Sequence, residues 1–296
     1  MKKLLFFLAV SVATTLAGST FATAQEKEKV VTGTISNMSP ASVKVLDEYI
    51  SSQLYSGSNV FSGLNVKLGS FYRKHDNLSW DVYYTSYQRS ESLDEASDNH
   101  LMNPAGSQRL RYSSWSFGYG TYYHWNFGEK LLIKAGGVCD FYGGYKESLP
   151  DGVNNHVNLE GQIMLKANAA IKYGWDFKKW GLDLRANVAL PLFGVITADH
   201  PSEPAMSVLI MNDHSVMQPA VNHIFLGSYH NYMSLDYDMG VDFVFKPFTI
   251  TLGLMNTGKW WNVNGLQHIR KINCMTLGVS FDMVSRNKFK SSNRNF

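Results

Sequence analysis

Hydrophobic and polar side chains alternate along VNLEGQIMLKANAAIKYGWDF, residues 157–177. Val157, Leu159, Ile163, Leu165, Ala167, Ala169, Ile171, Tyr173, Trp175 and Phe177 fall on one set of positions. Asn158, Glu160, Gln162, Lys166, Asn168, Lys172 and Asp176 fall on the other. Period two belongs to a β-strand, whose successive side chains leave opposite faces. Strands of soluble proteins run to about 5–6 residues, and this alternation continues far beyond that. Trp115, Phe117, Tyr119, Tyr123, Trp125 and Phe127 repeat the pattern as an aromatic row opposite Ser114, Ser116, Gly118, Gly120 and His124. Leu182, Leu184, Ala186, Val188 and Leu190 oppose Asp183, Arg185 and Asn187. Met233, Leu235, Met239, Val241, Phe243 and Phe245 oppose Ser234, Asp236, Asp238 and Asp242.

Long strands with one apolar and one polar face fit a transmembrane barrel, apolar towards lipid and polar towards the lumen. Only a closed barrel satisfies strand backbones inside hydrocarbon. The charges of the alternating runs therefore point inward. Trp125, Phe127, Trp175, Phe177, Trp180 and Phe245 fall beside short turns, the expected place for an aromatic girdle at one interface.

Short connections near Lys74–Asn77, Phe127–Lys130, Phe177–Trp180 and Lys246–Pro247 alternate with long ones at Ser90–Arg109, Glu147–His156, Ala198–Ser228 and Thr257–Arg270. Outer-membrane barrels keep short turns in the periplasm and long loops outside. The resulting strands are Val30–Met38, Phe61–Arg73, Leu78–Arg89, Leu110–Phe127, Leu131–Lys146, Val157–Phe177, Gly181–Thr197, Tyr229–Lys246, Phe248–Asn256 and Lys271–Val284. The expected fold class is all-β, an antiparallel transmembrane β-barrel of about ten strands, with eight or twelve as alternatives.

The beginning of the chain adds a location. Lys2 and Lys3 precede an apolar segment from Leu4 to Leu16, and Ala22-Thr23-Ala24 offers a small-residue cleavage site. This predicts a secretory signal peptide over 1–24, with the barrel over 25–284 and a basic tail over 285–296. A net charge of +3 gives no reason to expect nucleic-acid binding. Cys139 lies in phase with the apolar face and Cys274 with the polar one, which argues against a disulfide between them.

The piece LDEYISSQLYSGSNVFSGLNVKL, the rhythm of short turns and long loops, and FLGSYHNYMSLDYDMGVDF resemble an uncharacterised family of Bacteroidetes outer-membrane β-barrels. The resemblance implies a cell outer-membrane location and no agreed catalytic residue. Partners would be outer-membrane lipid and, during insertion, the barrel-assembly machinery. Terminal aromatics favour that machinery; RNKFKSSNRNF does not alternate, so the strand NCMTLGVSFDM with its Phe281 is the expected signal.

Ten strands leave an interior only slightly wider than one that side chains fill. Lys134, Lys172, Asp183, Arg185 and Asp242 are expected at similar heights near the periplasmic end, with Glu160, Lys166, Asp236 and Asp238 completing a lumen charge network. Such a network either braces a closed lumen or forms the selectivity ring of a narrow pore. The leading expectation is a non-enzymatic barrel of structural or narrow-pore type, without cofactor or metal.

Two other classes of function have candidate residues. Ser228 and His230 in GSYHN, two apart and so on one face, suggest a lipid-active hydrolase; His214 beside Ser215 is a weaker pair. Such chemistry also needs an orienting acid or amide and oxyanion donors. Alternatively, His100, His156, His200, His214, His223, His230 and His268 fall in or beside the expected outer loops, where they would bind a ligand or metal. They show no HxH or HExxH spacing. The extracellular partner is not specified by any of these features.

Overall fold

The computed structural model describes residues 28–48, 51–58, 62–73, 78–88, 109–128, 130–149, 156–198, 223–245, 248–263 and 265–285. The expected signal segment, the tail from 286 onward and most of the expected outer connections lie outside the described residues. The described residues form twelve strands: β1 Glu28–Asp47, β2 Ser51–Ser58, β3 Ser62–Arg73, β4 Leu78–Gln88, β5 Arg109–Phe127, β6 Leu131–Leu149, β7 His156–Asp176, β8 Gly181–Thr197, β9 Ile224–Gly227, β10 Tyr232–Phe245, β11 Phe248–Val263 and β12 Leu266–Ser285.

Every pairing is antiparallel, and the order β1-β3-β4-β5-β6-β7-β8-β10-β11-β12 returns to β1. Ten strands thus close on themselves, leaving no edge to expose to lipid. The two remaining strands continue descending ones. β2 pairs with the upper half of β1 and β3 with its lower half; β9 pairs with the top of β8 and β10 with the rest. The segment 228–231 lies between β9 and β10 as a turn.

The alternation in the sequence becomes alternation in space. On β7, Asn158, Glu160, Gln162, Met164, Lys166, Asn168, Ala170 and Lys172 are buried, while Ile171 and Tyr173 are exposed on the outer wall. Leu252, Leu254, Met275, Leu277 and Phe281 show the same outward exposure on β11 and β12. The wall is apolar and the interior polar, the reverse of a water-soluble barrel.

A ring of aromatic side chains surrounds the end with the short connections, where the girdle is expected. Tyr123 meets Trp125 at 5.0 Å between ring centroids, Tyr173 meets Trp175 at 4.7 Å, Phe177 stacks on Trp180 at 4.3 Å and Phe245 on Phe248 at 5.6 Å. Phe127 is exposed beside them. Cys139 is half-buried, Cys274 is buried and on the lumen face, and both are free thiols.

Two boundaries differ markedly from the sequence reading. The first strand does not stop at Met38 but continues to Asp47, with a register shift between Met38 and Ala41 where it crosses proline-containing sequence. The long outer connection expected over Thr257–Arg270 is instead a hairpin. β11 and β12 pair without interruption from Phe248↔Phe281 to Val263↔Leu266, and Gly265 turns with φ 83°, a backbone angle that glycine adopts without steric cost. His268 and Arg270 are therefore strand residues inside the barrel.

Candidate functional site

The interior holds three tiers of polar contacts. In the lowest tier, Lys172 of β7 reaches Asp183 of β8 at 3.5 Å and Asp242 of β10 at 3.2 Å. Arg185 of β8 joins Asp242 at 3.2 Å and also binds Asp238; Thr251 of β11 donates to Asp242 at 2.9 Å. These side chains point together because Lys172↔Arg185, Asp183↔Asp242 and Asp238↔Asn187 are paired positions on neighbouring strands.

Lys134 of β6 lies on the far side of this tier. It faces Asp81 of β4 at 3.9 Å and lies over the ring of Tyr122 at 4.1 Å. Asp81 is held by Lys67 at 2.6 Å and by the Tyr122 hydroxyl at 2.9 Å. The sequence reading groups Lys134 with Lys172, Asp183, Arg185 and Asp242; it lines the same cavity as Arg185 and Asp242, and its ion pair across β5 is with Asp81.

The middle tier centres on Lys166, 2.6 Å from Asp140 of β6 and 2.8 Å from Asp236 of β10. The Tyr83 hydroxyl donates to Asp140 at 2.8 Å. To do so it crosses β5, and glycine makes that crossing available: a methyl group built on Gly118 would overlap the Tyr83 ring. Gly120 in the same GYG triplet likewise leaves room for the Tyr122 phenol.

In the upper tier, Glu160 of β7 pairs with Lys146 at 2.9 Å and accepts from the Tyr142 hydroxyl. Tyr142 and Tyr112 hydroxyls lie 3.0 Å apart, and Arg270 of β12 donates to Tyr112 at 2.7 Å. Lys259 of β11 donates to Gln162 at 3.0 Å and sits 3.6 Å from the centre of the Tyr142 ring. Trp261 stacks flat on His268 at 5.1 Å, and with Met164, Ile196, Ala198 and Tyr232 it forms an apolar patch fully buried within the lumen. The strands joined by these contacts lie on different sides of the barrel, so the tier spans it.

Between the lower and upper tiers lies a cavity of about 260 Å³, lined by Asn168, Asn187, Asp236, Lys166, Ala170 and Ala189 among others. It falls just below the roughly 300 Å³ at which pockets for drug-sized ligands begin.

Asp81, Lys67, Asp140, Lys146, Lys259 and Arg270 were not singled out in the sequence. Asp140 was legible, because Cys139 beside it belongs to the apolar face. Lys259 and Arg270 were hidden by the hairpin misread as a loop.

The other candidates are less assembled. Ser228 Oγ lies 2.5 Å from His230, but at Nδ1, and both are in the exposed turn between β9 and β10. The neighbouring amide of Asn231 is engaged with the backbone of Ser228 at 2.9 Å and Leu226 at 2.7 Å. Local turn geometry accounts for the pair, and no carboxylate among the described residues orients the ring. His223 and His268 are buried, and His100, His200 and His214 lie outside the described residues. Among the described residues, no group of three or more His, Cys, Asp or Glu side chains is placed to hold a metal.

A closed antiparallel barrel with an apolar wall and a charged interior defines the class. The chain belongs to the family described as a protein of unknown function, DUF3316, whose model matches residues 3–288. No characterised protein matches the sequence significantly. Among solved structures, the fold resembles outer-membrane β-barrels. The outer membrane protease OmpT from Escherichia coli aligns at 10% identity over 88% of this chain and 99% of its own, with a TM-score of 0.48. Neisserial surface protein A aligns at 11% identity over 86% of this chain and 97% of its own, TM-score 0.33. Ail, the attachment invasion locus protein of Yersinia pestis, aligns at 10% identity over 87% and 99%, TM-score 0.35.

Proposed function

We propose that the protein is an integral outer-membrane barrel of structural or surface type, non-enzymatic, whose lumen is braced shut rather than open as a pore. The observation that carries this reading is the upper tier, in which Arg270 of β12 reaches Tyr112 of β5 and Lys259 of β11 reaches Gln162 of β7. In this reading, side chains that meet across the barrel obstruct the passage of a hydrated ion, and ion pairs such as Glu160–Lys146 and Lys166–Asp140 offset the desolvation of their charges.

The reading includes export through a signal segment over 1–24, kinship with Bacteroidetes outer-membrane barrels, and insertion by the barrel-assembly machinery. Phe281, exposed on the wall near the end of the closing strand, supplies the aromatic that such recognition uses. The outer loops would then carry whatever specific contact the protein makes.

The test is single-channel recording of the purified protein in a planar bilayer, with insertion checked independently. Electrical silence from inserted protein is the expected result. A steady conductance that changes on Arg185→Gln or Asp242→Asn would assign the same charges to a narrow pore instead.

A lipid-active hydrolase at Ser228 and His230 is the second reading, favoured by their 2.5 Å contact on an exposed turn. Hydrolysis of a phospholipid substrate that disappears in both Ser228→Ala and His230→Ala would establish it. The use of Nδ1 and the commitment of Asn231 to the turn make it the weaker of the two.

A further inference from the structure

The apolar wall is interrupted on one side only a short way below its upper rim. On β11 the positions in outward phase run Leu252, Leu254, Asn256, Gly258, Trp260, of which Asn256 is buried, and on β12 they run Leu277, Met275, Asn273, Lys271, Ile269. β1 adds Ser42 beside Asn273 and Lys44 beside Lys271. Two polar rows therefore cross three strands, with leucine and methionine beneath them and Trp260, Ile269 and Leu46 above.

The lower row satisfies itself. Asn256 donates to Asn273 Oδ1, and Asn273 Nδ2 lies 3.5 Å from Ser42 Oγ. The upper row does not. Lys44 and Lys271 are directly paired positions on adjacent strands, both exposed, and neither forms an ion pair among the described residues. Like charges opposite each other destabilise a sheet. Glu48, higher on the same wall, is engaged by the backbone N–H of Gln267 at 2.6 Å. Next to Lys271 the outward position is Gly258, where an added Cβ would meet nothing closer than 3.6 Å. The wall thus has a notch between Leu235 and Lys271.

Height decides what fills it. Trp260 stands twelve positions above Phe248 on the same strand, which at about 3.3 Å per residue and a tilt of about 40° is roughly 30 Å. Phe248 belongs to the lower girdle, so Trp260 marks the upper interface. The two lysines sit one pleat lower, and their flexible stems carry the ammonium groups up to head-group level. The connections at this end include the longest in the chain, which places it outside the cell.

We propose that Lys44 and Lys271 bind the phosphate of an outer-leaflet lipid, with the Gly258 notch taking the adjoining sugar or acyl carbons and Trp260 flanking them. Charge complementarity argues for the phosphate and depth in the wall argues for a lipid carrying it. The inference rests on the outer-membrane reading.

The test uses protein extracted from membranes, purified in detergent and titrated with bisphosphorylated lipid A, its dephosphorylated form and inorganic phosphate, with bound lipid counted by native mass spectrometry. The phosphorylated lipid should bind, Lys44→Gln with Lys271→Gln should weaken it about tenfold or more, and Lys44→Arg with Lys271→Arg should retain it. Lys178→Gln with Lys179→Gln, in a turn at the opposite end, should leave it unchanged. Folding of each variant is read from its heat-modifiable migration. Equal binding of the dephosphorylated lipid, undiminished binding by the glutamine variant, or full displacement by millimolar inorganic phosphate would overturn the proposal. Membrane fractionation separates the two readings: protein found outside the outer membrane defeats the location, whereas correctly located protein with unaltered glutamine variants defeats only the lipid site.

Discussion

The guanidinium of Arg270 on β12 lies 2.7 Å from the hydroxyl of Tyr112 on β5, with β1, β3 and β4 intervening in the wall. Strands that share no backbone hydrogen bond are thereby tied through the interior. Replacing Arg270 and Lys259 together by alanine removes two cross-lumen arms of the upper tier. A steady conductance should appear in the planar bilayer where the native protein is silent. Continued silence in inserted double variant would mean that closure resides elsewhere.

Lys166 neutralises two carboxylates at once, Asp140 and Asp236. Lys166→Met leaves both buried without their cation, and breaking a buried pair in this way costs about 3–5 kcal/mol. Urea unfolding in lipid vesicles should register a loss of that order. Adding Asp140→Asn and Asp236→Asn to Lys166→Met should recover much of it, because no charge is then stranded.

Gly118 is where Tyr83 crosses β5 to reach Asp140. Gly118→Val should displace the phenol and lower the unfolding midpoint by more than Tyr83→Phe, which loses the hydrogen bond but keeps the ring in place. Equal losses in the two variants would show that ring position matters less than the bond.

Ile171 faces out and Asn168, three residues earlier, faces the cavity. A lysine at a lipid-facing midplane position costs about 2–4 kcal/mol. Leu165→Lys should prevent stable insertion, and Ile171→Lys, one pleat from Tyr173, should weaken it less. Asn168→Lys, beside Asp236, should be tolerated. Heat-modifiable migration after expression would distinguish them, and equal sensitivity at inward and outward positions would defeat the assignment of faces.

The two cysteines offer an independent check on register. Thiol titration of unreduced, unfolded protein should find both Cys139 and Cys274 free, since they belong to opposite faces of the wall. A quantitative disulfide would require at least one strand to be shifted by a residue.

Strand number and facing were legible because an apolar wall on one side and a polar lumen on the other impose period two on every crossing. That constraint weakens towards the upper interface. At Asn256, Gly258 and Lys271 the outward positions turn polar or lose their side chain, so the β11–β12 extension looked like a loop although its backbone pairing is unbroken. The same limit concealed the upper half of β1. Within the lumen, the phase of Lys166, Lys172, Arg185 and Asp242 told which way they point, but not whom they meet. Lys134 found Asp81 because side-chain reach and the room left by Gly118 and Gly120 on β5 decide partners, and neither follows from height alone.

The seam between β1 and β12 pairs Val30 with Ser285 and Asp47 with His268, joining the two ends of the described chain. Contacts of such large sequence separation form late and slowly. Until the final strand is in place, β1 and β11 each present an unmatched backbone edge, the condition most prone to wrong association. The barrel can therefore seal only once β12 has been made and has met β1.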